Sequence, residues 1–307
     1  MSDPFDLGVL YTDHPALAAG TPFPSLWSYE SCGRGNRQPV AVTADGRREY
    51  WLHRSDPLLN TMLPGTHVSL VVNLGGPWAS GRSLPATRLL PPLGVIGPFT
   101  RPQLLRVGSH VRAVGAVLPS ILARHVFAVP APDLVDQIVP LEDLWPRHDV
   151  AWLHDSLAGR ALPQALAMLR DELLRQLDPA AHMHTVERSA VRVLTARRGR
   201  TPIDEVATRH GISRQRLARR FHQATGLSPK LFARTVRFQG LIPALLSSDV
   251  SQWAAVASEA GFYDQAHMIN EFRSFTGAPP TVFFQPHGET LAPSHVQVRG
   301  RPSEWRR

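Results

Sequence analysis

Four arginines, Arg214, Arg216, Arg219 and Arg220, stand within seven residues of the stretch Gly211-Ile-Ser-Arg-Gln-Arg-Leu-Ala-Arg-Arg-Phe-His-Gln-Ala-Thr-Gly-Leu-Ser-Pro229. A guanidinium is permanently charged, and its planar fork of donors matches phosphate oxygens or the major-groove edge of guanine. Gln215, set among them, carries the donor and acceptor pair that matches adenine. With Leu217 and Phe221, four residues apart, turned into a core, Arg214, Gln215 and Arg219 face outward and Arg216 and Arg220 lie nearer the edges. Gln215 and Arg219 then share one face, as two neighbouring base readers would, while Arg214, Arg216 and Arg220 flank that face near phosphates. For an arginine-rich helix taken alone the competing account is a solvated cationic surface, so the surrounding elements must decide.

Those elements are helical and occur twice. Thr201-Pro202-Ile203-Asp204 puts a hydroxyl at an N-cap, proline at the first helical position and a carboxylate in the first turn. Gly211 suits the left-handed conformation that ends a helix, and Ser213 caps the next one. Helix, glycine-containing turn, helix is the helix-turn-helix pattern, with Val206, Ala207, Leu217 and Phe221 as its apolar seam. Val206-Ala-Thr-Arg-His-Gly211 aligns with Val256-Ala-Ser-Glu-Ala-Gly261, and Phe221-His-Gln-Ala-Thr-Gly-Leu-Ser-Pro-Lys-Leu-Phe232 with Phe272-Arg-Ser-Phe-Thr-Gly-Ala-Pro-Pro-Thr-Val-Phe283. In the second copy Asp264 is the N-cap, Phe262 and Phe272 are core, and Gln265, Ala266, His267, Asn270 and Arg273 are left on the outer face. Glu271 is a poor neighbour for phosphate, so this unit is expected to give narrower readout than the first, or to buttress it. Between the copies, Leu231, Phe232, Val236, Phe238, Leu241 and Leu245 form an apolar stripe at helical spacing over 229–248, which predicts one long helix holding the units apart. A separation of about 34 Å would let both reading helices enter successive major grooves from one side.

Charge agrees with this placement. Residues 190–286 hold 13 Arg and Lys against 6 Asp and Glu, net +7, whereas residues 1–189 hold 16 against 17, net −1. A local positive excess of this kind points to a polyanion, although 32 of the 33 basic residues are Arg, so compositional bias contributes. The lone Cys32 excludes intramolecular disulfides, cysteine-rich zinc sites and iron–sulfur clusters. No metal is expected: His53, His67, His110 and His125 are scattered, and the one His-x-His, His182-Met183-His184, falls in a linker. No nucleophile, base and orienter can be assembled, so no enzyme activity and no cofactor are expected. The first residues lack a basic and apolar leader, and no apolar run approaches the roughly 18 residues that span a bilayer, so a cytoplasmic protein without membrane contact is the expectation.

The front half reads differently. Tyr50-Trp-Leu, His67 to Leu74, Gly94-Val-Ile96, Gln103 to Val107 and Val111 to Val117 are short apolar stretches parted by Gly and Pro, which predicts a small β-barrel or sandwich. Helical spacing follows at 119–127 and through 150–177, where Leu166, Leu169, Leu173 and Leu177 form a stripe that either covers the chain's own sheet or pairs with a second copy. The expected class is therefore α+β in two domains. Residues 1–148 form a β-rich sensing or dimerisation domain, 149–181 a helical segment and linker, 182–286 an all-α domain with two helix-turn-helix units bridged by a long helix, and 287–307 a disordered tail.

Residues 186–284 resemble the DNA-binding domain of the bacterial AraC/XylS family of transcription regulators. The resemblance is carried by Val206-Ala207, Gly211-Ile-Ser-Arg, Leu217-Ala-Arg-Arg-Phe221, Thr225-Gly-Leu-Ser-Pro229, Arg237-Phe238, Val256 to Phe262, Asp264-Gln-Ala-His, Phe272-Arg and Thr276-Gly-Ala-Pro-Pro280. It implies base-reading positions at Gln215, Ala218 and Arg219 in the first unit and at Gln265, Ala266 and Asn270 in the second. Asn270 stands where such regulators often have Arg, and Leu241 where a small residue is common, so an operator sequence does not transfer. The front half more weakly resembles the cupin-like domains that precede such modules, through 63–75 and 129–141. Double-stranded DNA is the implied partner; a small-molecule effector, a second copy of the chain and RNA polymerase are left open, as is a constitutive DNA binder whose front half only dimerises or touches polymerase.

Overall fold

The computed structural model describes residues 10–13, 25–32, 41–42, 48–49, 51–53, 59–108, 110–178, 185–246 and 248–284. The strands are β1 (Leu10–Asp13), β2 (Ser25–Cys32), β3 (Ala41–Val42), β4 (Arg48–Glu49), β5 (Trp51–His53), β6 (Leu59–Met62), β7 (His67–Asn73), β8 (Ala79–Gly81), β9 (Arg88–Leu89), β10 (Leu93–Ile96), β11 (Gln103–Arg106) and β12 (His110–Pro119). After the short helices α1 (Ala123–Phe127) and α2 (Ala131–Leu134) comes β13 (Ile138–Pro140), and every later element is helical: α3 (Arg147–Ala158), α4 (Leu162–Gln176), α5 (Val186–Ala196), α6 (Ile203–Arg209), α7 (Arg214–Thr225), α8 (Pro229–Leu246), α9 (Trp253–Glu259), α10 (Gln265–Thr276) and α11 (Pro280–Phe283). The linker at 179–184, with His182 and His184, and the tail 287–307 lie outside the described residues, as do the side chains of Cys32 and His53.

The strands form two antiparallel sheets, ordered β1-β2-β12-β7-β10-β13 and β5-β6-β11-β8-β9, with β3 and β4 as a separate ribbon. Among the described residues the barrel is not closed. Strand β7 is buried along almost its whole length because both of its faces are covered. Val68, Leu70 and Val72 join the core under the helices, while Val71 joins Met62, Trp78, Ile96, Leu105 and Ala113, side chains drawn from both sheets. A strand covered twice reads as a continuous apolar run, not an alternation, which accounts for the His67-to-Leu74 stretch.

The expected helical segment at 150–177 is two helices, parted at Gly159 and Ala161 with Pro163 in the first turn of α4. Its leucine stripe faces inward: Leu166, Leu169 and Leu173 are fully buried, and α4 packs on β12 and β2. The stripe therefore covers the chain's own sheet. The front half also touches the helical region directly. Helix α2 packs on α7, Val135 lies against the first helix-turn-helix core, Leu63 lies against the second, and Gln239 Nε2 donates to the Pro64 carbonyl at 3.3 Å. Leu169→Ala should cost about 2–5 kcal/mol in urea unfolding while leaving the sedimentation coefficient unchanged; an altered oligomeric state would mean that the stripe also serves a second copy.

Candidate nucleic-acid interface

The two helix-turn-helix units are built from the same local bonds. At the first turn, Gly211 adopts φ 62°, its amide donates to Thr208 O and that of Ile212 donates to Ala207 O; at the second, Gly261 adopts φ 79°, its amide donates to Ser258 O and that of Phe262 to Ala257 O. A side chain other than glycine is strained at such a φ. Ser213 Oγ then accepts from the Arg216 amide at 3.2 Å and Asp264 Oδ1 from the His267 amide at 2.7 Å, so the second helix of each unit, α7 and α10, begins on a side-chain cap. Their ends also match. Thr225 Oγ1 donates to Phe221 O, Thr276 Oγ1 to Phe272 O, and Gly226 and Gly277 close the helices at φ 79° and 82°. One cap differs from expectation: α6 starts at Ile203 with Pro202 in the cap position and no side-chain bond there, so Thr201 does not cap it. Proline, having no N–H, removes one of the amides that a cap would satisfy.

The cores set which side chains remain outside. Leu217 and Phe221 are fully buried with Val206 and Ala207, and Phe221 meets Phe232 of α8 edge-on at 5.2 Å. In the second unit Phe262, Met268, Phe272 and Phe275 are buried, with Phe238 of α8 5.5 Å from Phe272 and 4.7 Å from Phe275. Helix α8 thus gives Phe232, Ala233 and Val236 to one core and Phe238, Leu241, Ile242 and Leu245 to the other. Both outer faces are left open: Arg214, Gln215, Arg216 and Arg219 are exposed and Ala218 is half-buried on α7, while Ala266, His267, Asn270 and Arg273 are exposed and Gln265 is half-buried on α10.

Charge pairing sorts the cations further. Arg214 lies 3.5 Å from Asp204, with both side chains exposed, so water and salt screen that pair heavily. Arg220, expected beside phosphate, donates its Nε to Glu187, a buried carboxylate on α5, and its side chain stays 37% exposed. Burial raises the pKa of Glu187, but hydrogen bonds from Arg220, from its own backbone and from Thr185 outweigh burial and hold the carboxyl below its ordinary value. Glu271 does not sit among the DNA-side residues either; it accepts a fork from Arg234 at 2.7 and 2.9 Å, which lifts the Arg234 pKa. Among the described residues no three His, Cys, Asp or Glu side chains gather where they could hold a metal ion. No described helix is long and apolar enough to cross a membrane.

Residues 206–285 match a family model described as a helix-turn-helix domain. This part of the chain is a helix-turn-helix domain. Solved structures similar to the chain include ToxT from Vibrio cholerae, at 9% identity over 83% of this chain and 96% of that one with a TM-score of 0.41. The C-terminal domain of AraT, a response regulator from Geobacillus stearothermophilus, is 19% identical over 33% of this chain and 84% of its own, TM-score 0.30. The AraC-like transcriptional activator CuxR is 14% identical over 77% and 94%, TM-score 0.25. No curated protein matches the chain.

Within this domain sequence reasoning passes over Tyr263, which is 93% exposed immediately before the cap of α10. Its signal was present: an aromatic residue between buried Phe262 and the Asp264 cap has no core to enter. The Glu187–Arg220 and Arg234–Glu271 pairs, by contrast, join residues 33 and 37 positions apart, and no periodicity marks them.

Two measurements check this geometry. Phe221→Ala should destabilise the chain by about 3–5 kcal/mol, seen as a lowered melting temperature; an unaltered one would mean that the helix phase is wrong. Because the Glu187 carboxyl is held low in the folded state, it stabilises the fold above its ordinary pKa of 4.5, and that contribution is lost as pH falls through the lowered value. Urea unfolding of Glu187→Gln should therefore show a shallower loss of stability on acidification than the natural chain.

Proposed function

We propose that this chain is a sequence-specific DNA-binding transcription regulator in which residues 182–286 read DNA, residues 1–148 set when or how they do so, and residues 149–181 connect the two. The observation that carries this reading is the duplicated, capped unit whose core leaves one polar face of α7 and one of α10 open, on a region of net charge +7. Gln215 and Arg219 read base edges in the first major groove, with Ala218 against a thymine methyl; Arg214 and Arg216 hold phosphate. Gln265, Ala266 and Asn270 face the second groove, with His267 and Arg273 at its edge. The bridging helix α8 holds the two reading helices about one turn of DNA apart. Arg220 serves this interface indirectly, by tying α7 to α5 through Glu187.

Modulation through the front half is supported by its contacts with both units: a change that moves α2 or the Pro64 loop is felt at the first core through Val135 and at the second through Leu63. A small molecule or a protein partner bound by residues 1–148 is the input on this reading. The competing arrangement, constitutive binding with a front half that dimerises or meets RNA polymerase, gives a different DNA site.

Selection of sites from a random DNA pool by the full-length chain separates these. An asymmetric site of about 20 base pairs, two helical turns, is the expected result; a repeated site would make the chain a dimer on DNA, and no enrichment at moderate salt would overturn DNA reading. On the selected site, Arg219→Ala should lose about 1–3 kcal/mol and relax preference at one base pair. Arg214→Ala should weaken all sequences alike and flatten the salt dependence by about one unit of slope.

A further inference from the structure

Three arginines outside the reading helices converge where the two units face each other. Arg237, on α8, donates Nη2 to Gly199 O at 2.8 Å, and its guanidinium lies over the Phe262 ring at 5.4 Å from the centroid. Gly199 belongs to the loop before the first unit, at φ 69°, and a Cβ there would come within 2.0 Å of Ala233 O, so this loop rests directly on α8. Phe262 belongs to the turn that launches α10. One side chain therefore ties the loop that leads into the first unit to the turn inside the second. A turn away, Arg234 forks onto Glu271 in the middle of α10 and reaches Ser274 Oγ at 3.0 Å, and the stem of Arg200 lies over Gly261, 3.0 Å from where a Cβ would stand.

Apolar packing on α8 seats each unit through its own phenylalanines, and what a polar contact adds to it is a directional tie between them. A hydrogen bond to a carbonyl combined with a ring facing the same planar guanidinium is directional, and lysine, a compact point charge on a flexible stem, does not match it. Arg237 is also half-buried, and desolvation lowers its pKa against the opposing pull of Glu271, so it is not an open cation awaiting phosphate.

We infer that Arg237 is a positioning residue for DNA recognition: by holding the Gly199 loop and the Phe262 turn on one guanidinium, it fixes the angle between α7 and α10 and with it the spacing of base pairs that the chain accepts. This rests on the two-unit reading above. It assigns to an arginine of the basic region a role in specificity without any contact to DNA.

The test uses the full-length chain and the site selected from a random pool, together with versions carrying one base pair inserted or removed between its halves. Each inserted pair rotates one half by about 34° relative to the other. Affinities are measured for the natural chain, Arg237→Lys and Arg237→Met. The natural chain should bind the altered spacings much more weakly than the selected one, and both variants should reduce that penalty by about 2- to 30-fold. Single-base preferences inside each half and the melting transition should be kept. A phosphate-contacting Arg237 would behave otherwise, because Arg237→Lys keeps the charge and would keep the strict spacing; equally strict spacing in both variants overturns the inference alone. Loss of base preference within the halves, or of the melting transition in Arg237→Lys, would make the residue merely structural and overturn it too. A natural chain indifferent to spacing would overturn the two-unit reading itself, and this inference with it.

Discussion

One helix serves two hydrophobic cores, and the placement of every surface that could meet DNA follows from that sharing. Helix α8 sends Phe232 and Val236 into the core closed by Leu217 and Phe221, and Phe238 and Leu245 into the core closed by Phe262 and Phe272. Each reading helix is pinned to α8 through its own buried phenylalanine, so α7 and α10 are oriented by packing, and their polar faces are what remains. Buried aromatic contacts of this kind make a rigid scaffold because protein interiors are close-packed and a shifted ring loses partners at once. Helix α8 runs through despite Pro243, whose missing N–H and ring crowd the preceding turn.

The positive charge of the C-terminal region divides into two populations with different work. Arg220 is spent on Glu187, Arg234 on Glu271, and Arg237 on Gly199 O and the Phe262 ring. These three are half-buried and tie α7 to α5, α8 to α10, and α8 to the Gly199 loop and the Phe262 turn. Arg214, Arg216, Arg219 and Arg273 remain exposed on the outer faces of α7 and α10, and among the described residues Arg214 has an acidic neighbour in Asp204. A count of net charge cannot make this division. The cations that brace the fold and those free to meet a polyanion carry equal weight in the sum, yet the screened, exposed ones are those that a phosphate backbone can recruit by releasing counterions.

The front half contributes by contact as well as by its own fold. Its two sheets stay open, and α4 covers one of them, which uses the leucine stripe that could otherwise have met a second copy. Gly226, at the end of α7, lies so close to Ala131 O and Val135 that a Cβ would come within 2.7 Å of both. The end of the first reading helix is therefore also the place where the two halves of the chain touch, and a shift in either is a shift in both.

How much of this was legible depended on the range of the interaction. The duplicated units, their glycine turns, the Ser213 and Asp264 caps, the long bridging helix and the inward phase of Leu217, Phe221 and Phe272 were all readable, because caps, left-handed glycines and apolar periodicity act over a few residues. The strands at 67–73, 93–96, 103–106 and 110–119 showed themselves as apolar runs for the same reason, though not their division into two open sheets, which depends on where distant strands lose pairing partners. The break at Gly159 was local and still missed, since apolar spacing on either side of it carried the helical signal through. The Arg220–Glu187 and Arg234–Glu271 pairs, and the hold of Arg237 on the Gly199 loop and the Phe262 ring, became visible only in three dimensions. Their partners are far apart in the chain, and no local rule tells an arginine that will meet a buried carboxylate from one that will stay in water. The sequence by itself determined which helices form, where they begin and end, and which face of each turns inward. The tertiary structure decided which charges those faces keep.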